Sequence, residues 1–122
     1  MANILLVEDE EQLRSMLRIV LENAEHEVRE AGNGKEALES YGRHPVDLMV
    51  TDIVMPDKEG IETIMKVRDS YPHVKIIAMS GGGRTGAQNF LELAKKFGAD
   101  YILAKPFSNK ELLDGVHLLL QL

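Results

Sequence analysis

The chain has 122 residues, 44% of them hydrophobic, which is enough for one hydrophobic core and too few for two ordinary domains. Its formal net charge of -6 argues against non-specific nucleic-acid binding, which needs a surplus of clustered Lys and Arg. The sequence contains no cysteine, which excludes disulfides and cysteine-based zinc sites. Because its amino-terminal residues resemble neither a signal peptide nor a membrane span, we expect a cytoplasmic protein that does not bind membranes.

Strand and helix patterns alternate along the chain. Short apolar runs predict strands at residues 4–7, 26–31, 46–51, 74–79 and 101–104, with the charged 26–31 segment at an edge of the sheet. Apolar spacings of three and four predict helices over 13–24, 34–41, 87–97 and 109–120, and residues 61–67 are predicted to be the middle of another helix, the third along the chain. Asn33 with Glu36, and Ser108 with Glu111, are typical of helix-capping boxes.

Five strand–helix units in sequence require right-handed crossovers and a parallel sheet that is covered on both faces. The sequence therefore predicts an α/β fold, a three-layer α/β/α sandwich built on a five-stranded parallel sheet. We expect a single domain over residues 1–122 and no output domain. The four histidines lack the spacing of a metal site and are expected on the surface, and the methionines Met55 and Met65 are expected in packing positions.

Charged side chains follow the predicted strands at the points where these strands end. Glu8 and Asp9 follow the first strand, Asp52 the third and Lys105 the fifth. Because the carboxyl ends of parallel strands lie along one edge of the sheet, we expect these side chains to converge. Clustered carboxylates repel one another, so such a group needs a cation or a raised pKa on one member. Mg²⁺ is the natural occupant.

Each of these residues also has a purely structural interpretation. Acidic residues at a strand-to-helix junction commonly stabilise the start of the helix, which alone would explain Glu8 and Asp9. Asp52 and Ser80 are common turn and loop residues, and Lys105 can be a solvated charge at a sheet edge. The functional interpretation is favoured because separate structural causes would have to coincide at four strand ends.

Four pieces of the sequence together resemble a two-component response-regulator receiver domain, and the resemblance covers essentially the whole chain. They are Val7-Glu8-Asp9-Glu10, Thr51-Asp52-Ile53-Val54-Met55-Pro56 with Gly60, Ser80 after the fourth strand, and Lys105-Pro106-Phe107. The resemblance implies the flavodoxin-like strand order 2-1-3-4-5 and a cis peptide bond between Lys105 and Pro106.

The resemblance also implies the role of each site residue. Asp52 accepts a phosphoryl group as an acyl phosphate, and Lys105 and Ser80 contact the phosphorylated state. Glu8, Asp9, Asp52 and the backbone carbonyl of Val54 are the implied ligands of Mg²⁺, with Glu8 acting through metal-bound water. The activity implied is a signalling phosphoacceptor that catalyses its own phosphoryl transfer and dephosphorylation, not a metabolic enzyme.

The implied partners are a sensor histidine kinase or histidine phosphotransfer protein, and a downstream protein on the face formed by the fourth helix, fifth strand and fifth helix. The domain is expected to be a monomer or a phosphorylation-dependent dimer. Ile102 occupies the position where receivers usually carry an aromatic residue, and Tyr101 precedes it. Since side chains alternate along a strand, Tyr101 cannot simply replace that ring. We therefore expect Ser80 to signal through the glycine-rich loop and the fourth helix.

Two other functions fit parts of the sequence. Gly81-Gly82-Gly83-Arg84-Thr85-Gly86 matches a nucleotide-binding pattern, but it follows the fourth strand and lacks an acidic residue about twenty positions on. A passive interaction module on the same fold is the other alternative.

Overall fold

The computed structural model describes residues 2–53, 59–80, 92, 95–96 and 98–121. The strands are β1 (Asn3–Val7), β2 (Glu27–Ala31), β3 (Leu48–Asp52), β4 (Lys75–Ser80) and β5 (Tyr101–Ala104). The helices described in full are α1 (Glu11–Asn23), α2 (Gly34–Arg43), α3 (Glu59–Ser70) and α4 (Asn109–Leu120). Of the helix predicted over 87–97, Glu92, Lys95 and Lys96 are helical and the other residues lie outside this description. No helix in the described part of the chain combines the length and apolarity needed to cross a membrane.

The five strands form one parallel sheet in the order β2-β1-β3-β4-β5, which confirms the predicted class and strand order. The registers align the carboxyl ends of the strands. Val7 at the end of β1 pairs with Thr51 of β3, Asp52 pairs with Met79 of β4, and Ser80 pairs with Ala104 of β5. Residues that follow these strands therefore emerge at the same edge of the sheet.

Two apolar clusters cover the two faces of the sheet. Leu5 and Val7 of β1 face the cluster that includes α2 and α3, whereas Ile4 and Leu6 face the cluster that includes α1 and α4. Because side chains alternate along a strand, burial on both faces requires an unbroken apolar run, as the sequence of β1 has. The three-layer arrangement thus follows from the pattern of β1 and its neighbours.

The predicted helix starts are confirmed in different degrees. The Ser108 side chain accepts a hydrogen bond from the Glu111 amide at 3.0 Å, and the Glu111 carboxylate accepts one from the Ser108 amide at 3.1 Å, which is a complete capping box. Asn33 accepts from the Glu36 amide at 2.9 Å, but the Glu36 carboxylate accepts from the amide of Gly32 and from Nδ2 of Asn33 instead. Only half of a capping box therefore forms at α2.

Two surface and packing expectations were wrong. His26 is 4% exposed, because it lies between the last helix and the amino-terminal segment, where its Nδ1 accepts a hydrogen bond from the Ala2 amide. Burial, followed by repulsion from the positive amino terminus and from His117, lowers the pKa of His26. Met65 is 44% exposed, so it is not a packing residue of the core, and Met55 lies outside the described residues.

Tyr101 and Ile102 belong to opposite faces of the sheet, as alternation requires. Tyr101 packs with the cluster of α1 and α4, and Ile102 packs with the cluster of α2 and α3. The Tyr101 ring lies against Gly115 of α4 so closely that a Cβ on Gly115 would be 2.7 Å from Cε2 and 2.9 Å from Cδ2. Glycine at position 115 therefore permits the packing of α4 on β5.

We expect Gly115→Ala to be less stable than Gly42→Ala by about 1–3 kcal/mol, because the added methyl group overlaps the Tyr101 ring and forces repacking. Gly42 also lies within a helix, but a Cβ there would be 3.8 Å from the nearest described atom, which is ordinary contact. The gain in helix propensity is larger at Gly115, in the middle of α4, than at Gly42, the penultimate residue of α2, so a lower stability of Gly115→Ala must come from the steric effect. Urea unfolding measures it, and equal stabilities would contradict the packing described.

Candidate functional site

Three carboxylates gather where β1 and β3 end. Glu8 and Asp9 directly follow β1, and Asp52 is the last residue of the neighbouring strand β3. One carboxylate oxygen from each of the three lies within 4.8 Å of the others. Glu8 and Asp52 are buried while Asp9 is exposed, so the group opens to solvent on the Asp9 side.

Lys105 connects two members of this group. Its Nζ donates hydrogen bonds to Oε1 of Glu8 at 2.9 Å and to Oδ2 of Asp52 at 3.1 Å. Its backbone amide donates to the Ser80 carbonyl at 2.7 Å, which continues the pairing of β5 with β4 past the end of the strand. The Lys105–Pro106 peptide bond is cis. A side chain that follows β5 thus reaches one carboxylate that follows β1 and another at the end of β3.

Burial makes the charges of this group strongly interdependent. The side chains of Glu8, Asp52 and Lys105 are 1%, 6% and 18% exposed. Burial raises the pKa of Glu8 to about 7, with a further contribution from Asp52, although hydrogen bonds from Lys105 and the Glu10 amide oppose the increase. Burial alone would lower the pKa of Lys105, but its contacts with Glu8 and Asp52 outweigh this effect and raise it.

The donor set of this group fits a hard divalent cation. Mg²⁺ prefers oxygen ligands and is usually bound through a small number of carboxylates with several waters retained. Glu8, Asp9 and Asp52 provide clustered carboxylate oxygens, and the exposed side of Asp9 leaves room for water. The Val54 carbonyl lies outside the described residues, so its role remains a prediction.

Ser80 lies at the same edge. It is the last residue of β4 and follows Met79, which pairs with Asp52. The Ser80 side chain is fully buried, and its Oγ has no hydrogen-bond partner among the residues described. Buried hydroxyls are normally paired, so this one is available for an oxygen that enters the site.

One contact of the site was missed by sequence reasoning. Nη1 of Arg14, on the first turn of α1, donates to the Glu8 carbonyl at 2.8 Å. The sequence offers no signal for this contact beyond a basic residue in an otherwise acidic segment, because a hydrogen bond to a backbone carbonyl leaves no trace in the acceptor's residue type.

Comparison with known proteins identifies the family. The response regulator receiver domain family matches residues 4–117. The chain is 35% identical over 113 residues to the chemotaxis protein CheY of Halobacterium salinarum, covering 93% of this chain and 92% of that protein. It is 37% identical over 118 residues to the DNA-binding transcriptional regulator NtrC of Azospirillum brasilense, covering 94% of this chain but only 23% of that protein. A putative response regulator from Chloroflexus aurantiacus has a TM-score of 0.88 at 29% identity, over 99% of this chain and 98% of that one.

The chain belongs to the response regulator receiver domain family. It is a phosphoacceptor domain of two-component signalling, and domains of this family interact with sensor kinases and downstream effectors. The comparisons favour this function over nucleotide binding or a passive interaction module. The glycine-rich segment 81–86 lies outside the described residues.

We expect Lys105→Met to lower the free energy of unfolding by about 3 kcal/mol at neutral pH without added divalent cations, because it leaves two buried carboxylates without their ammonium partner. Uptake of a proton by Glu8 limits this loss. Lys110→Met is the matched control, since Lys110 pairs with Asp114 at 2.8 Å on the exposed surface of α4, where ion pairs contribute little. Equal losses in urea unfolding would contradict the importance of the buried pair.

Proposed function

We propose that Asp52 is the phosphoacceptor of this domain, with Glu8 and Asp9 as cation ligands and Lys105 and Ser80 as the groups that contact the phosphorylated state. The observation that carries the proposal is the Lys105 ammonium within hydrogen-bond distance of Asp52, beside a cluster of three carboxylates. A purely structural ion pair does not need the third, exposed carboxylate of Asp9.

In the proposed reaction, a carboxylate oxygen of Asp52 attacks the phosphorus of the donor. The new O–P bond forms as the bond to the leaving group breaks, and the leaving group keeps that electron pair. The product is an acyl phosphate on Asp52. The donor we propose is a phosphohistidine on a sensor kinase or histidine phosphotransfer protein, whose imidazole nitrogen is the leaving group.

The attack brings one anion up to another, so the barrier falls only if positive charge lies near the equatorial phosphoryl oxygens. Lys105 supplies one such charge, because its Nζ already lies 3.1 Å from Oδ2 of Asp52. Glu8, Asp9 and Asp52, with the Val54 carbonyl, would hold Mg²⁺. When bound, Mg²⁺ neutralises charge on the phosphoryl oxygens and helps to orient them.

Ser80 is proposed to distinguish the two states of the domain. A phosphoryl oxygen on Asp52 is an acceptor that exists only after phosphorylation, and the buried Ser80 hydroxyl has no described partner before it. Formation of that hydrogen bond would pull the end of β4 toward β3. Since Ile102 carries no ring at the usual aromatic position, we propose that the change passes from Ser80 into the following glycine-rich segment and the helix predicted over 87–97.

The output surface we propose is the face that combines this helix with β5 and α4. Leu118 of α4 is 64% exposed and is the most exposed of the large apolar side chains described. An apolar side chain at that position suits contact with a downstream protein or with a second copy of the domain after phosphorylation.

Incubation with acetyl phosphate and Mg²⁺ should add one phosphoryl group to the protein, and intact-mass measurement detects it. Asp52→Asn should abolish the mass gain, because an amide oxygen is a poor nucleophile toward phosphorus. Asp69→Asn, on the exposed side of α3, should leave it unchanged and controls for the loss of one carboxylate. A mass gain that persists in Asp52→Asn would place the acceptor elsewhere, and no gain in the parent protein would leave only a passive module.

Ser80→Ala should leave the free energy of unfolding of the unphosphorylated domain unchanged or slightly increased, because it removes a buried hydroxyl that makes no described hydrogen bond. Thr51→Val is the comparison, since the buried Thr51 hydroxyl donates to the Asp52 carbonyl at 3.1 Å and its loss should cost about 1 kcal/mol.

In NMR spectra, Ser80→Ala should reduce the amide shifts that phosphorylation produces in residues following β4. Full-sized shifts in this variant would contradict the role proposed for Ser80.

A further inference from the structure

We propose that Arg14 is a positioning residue that holds the acidic turn between β1 and α1 in the geometry needed to bind a divalent cation. This inference rests on the proposed function, because it concerns the same group of carboxylates. Arg14 is not itself a ligand or an acceptor of the phosphoryl group. Its effect passes through the backbone of the turn that carries Glu8 and Asp9.

Arg14 contacts the chain on both sides of Asp9. Its Nη1 donates to the Glu8 carbonyl at 2.8 Å, and its backbone amide donates to the Glu10 carbonyl at 2.9 Å. Asp9 lies between these two anchored residues, and its side chain is exposed. The bond to Glu10 is the first backbone hydrogen bond of α1 and does not depend on the side chain at position 14, so the arginine side chain itself holds the turn only at the Glu8 carbonyl. The direction in which Asp9 presents its carboxylate therefore depends on a peptide group that this one side-chain hydrogen bond fixes.

The guanidinium group of Arg14 is itself fixed by neighbouring elements. Its Nε lies 3.4 Å from Oε1 of Glu30 on β2, and the side chain is only 20% exposed. A Cβ on Gly32 would lie 3.4 Å from its Nη1, so the backbone after β2 packs closely on it. Nε of Arg14 makes no hydrogen bond among the described residues, so the contact with Glu30 is an ion pair, and the directed hydrogen bond of the guanidinium group is the one from Nη1 to the Glu8 carbonyl.

The hydrogen bond to Glu8 completes the anchoring of that residue. The Glu8 amide donates to the Ala31 carbonyl at 3.1 Å, and Oε2 of Glu8 accepts from the Glu10 amide at 3.1 Å. Since Glu8 is 1% exposed, its carbonyl also needs a partner, and a charged donor makes the stronger hydrogen bond. Without Arg14 the turn can rotate its carbonyl toward water and take Asp9 with it.

An electrostatic role and a positioning role of Arg14 predict opposite effects of its removal on the affinity for a divalent cation. Arg14 is a cation near an acidic group, so its loss would strengthen the binding of a second cation if simple electrostatics decided the outcome. If Arg14 acts by positioning, its loss weakens binding, because outer partners of metal ligands typically affect affinity by about 10–100-fold. The sign of the change distinguishes the two effects.

The test is the affinity of the unphosphorylated domain for Mg²⁺ alone, measured by NMR titration for the parent, Arg14→Gln and Arg18→Gln. Arg18 is the matched control, because it lies on the same helix and pairs with the same Glu30 at 2.8 Å. Its hydrogen bonds among the described residues go to Glu22 and Glu30 and not to Glu8. We expect Arg14→Gln to bind Mg²⁺ about tenfold more weakly, and Arg18→Gln to stay within about twofold of the parent.

A second measurement needs no metal. Amide hydrogen exchange of Glu10, whose N–H donates to Glu8, should accelerate in Arg14→Gln and not in Arg18→Gln. Arg14→Lys keeps the positive charge and N–H donors but loses the planar guanidinium group, so it should recover part of both effects. It replaces Arg14→Gln if circular dichroism finds that variant unfolded.

The outcomes separate this inference from the proposed function. Unchanged or tighter Mg²⁺ binding by a folded Arg14→Gln, while the parent binds, overturns the inference alone. Equal weakening in Arg18→Gln also overturns it, because the loss would then not depend on the hydrogen bond from Arg14 to the Glu8 carbonyl. Failure of the parent to bind Mg²⁺ overturns the proposed cation site and with it the inferred consequence for binding. Unchanged Glu10 exchange in Arg14→Gln overturns the proposed anchoring.

Discussion

The ammonium of Lys105 between the carboxylates of Glu8 and Asp52 is the interaction on which the edge of the sheet depends. Two buried carboxylates at the ends of adjacent strands repel each other, and in a medium of low polarity that repulsion is large. A lysine that follows β5 reaches both of them, at 2.9 and 3.1 Å, and so links the ends of three strands that are not all neighbours. The strand order of the sheet therefore determines which charges meet at this edge as well as which side chains pack together.

The charges at this edge of the sheet do not balance, and this imbalance suits the site to its function. One ammonium serves three clustered carboxylates, and the pKa of Glu8 is raised to about 7 mainly by burial. A second cation would relieve this excess of negative charge. The proposed phosphoryl group on Asp52 would give an acceptor both to Lys105 and to the Ser80 hydroxyl, which has no partner among the described residues. Because these groups are already in position, they need little reorganisation when a cation or a phosphoryl group enters the site.

The packing of Tyr101 and Ile102 on opposite faces of β5 limits how a conformational change at the site could reach the rest of the domain. Tyr101 is packed against Gly115 on the side of α1 and α4, whereas Ile102 is packed against the opposite cluster. The ring of Tyr101 is therefore on the wrong face to replace an aromatic residue at position 102. This arrangement supports the route proposed above, from Ser80 along the chain that follows β4.

The sequence by itself determined the class of fold, the strand order through family resemblance, and the residues that meet at one edge, because alternation along strands and the carboxyl ends of parallel strands are local patterns. Tertiary structure decided what depends on distance between separate elements. Lys105 pairs with Glu8 and Asp52, Arg14 holds the Glu8 carbonyl, and His26 is buried against the amino-terminal segment. No spacing in the sequence encodes these contacts, since each joins side chains to atoms that become neighbours only when the sheet and its helices have packed.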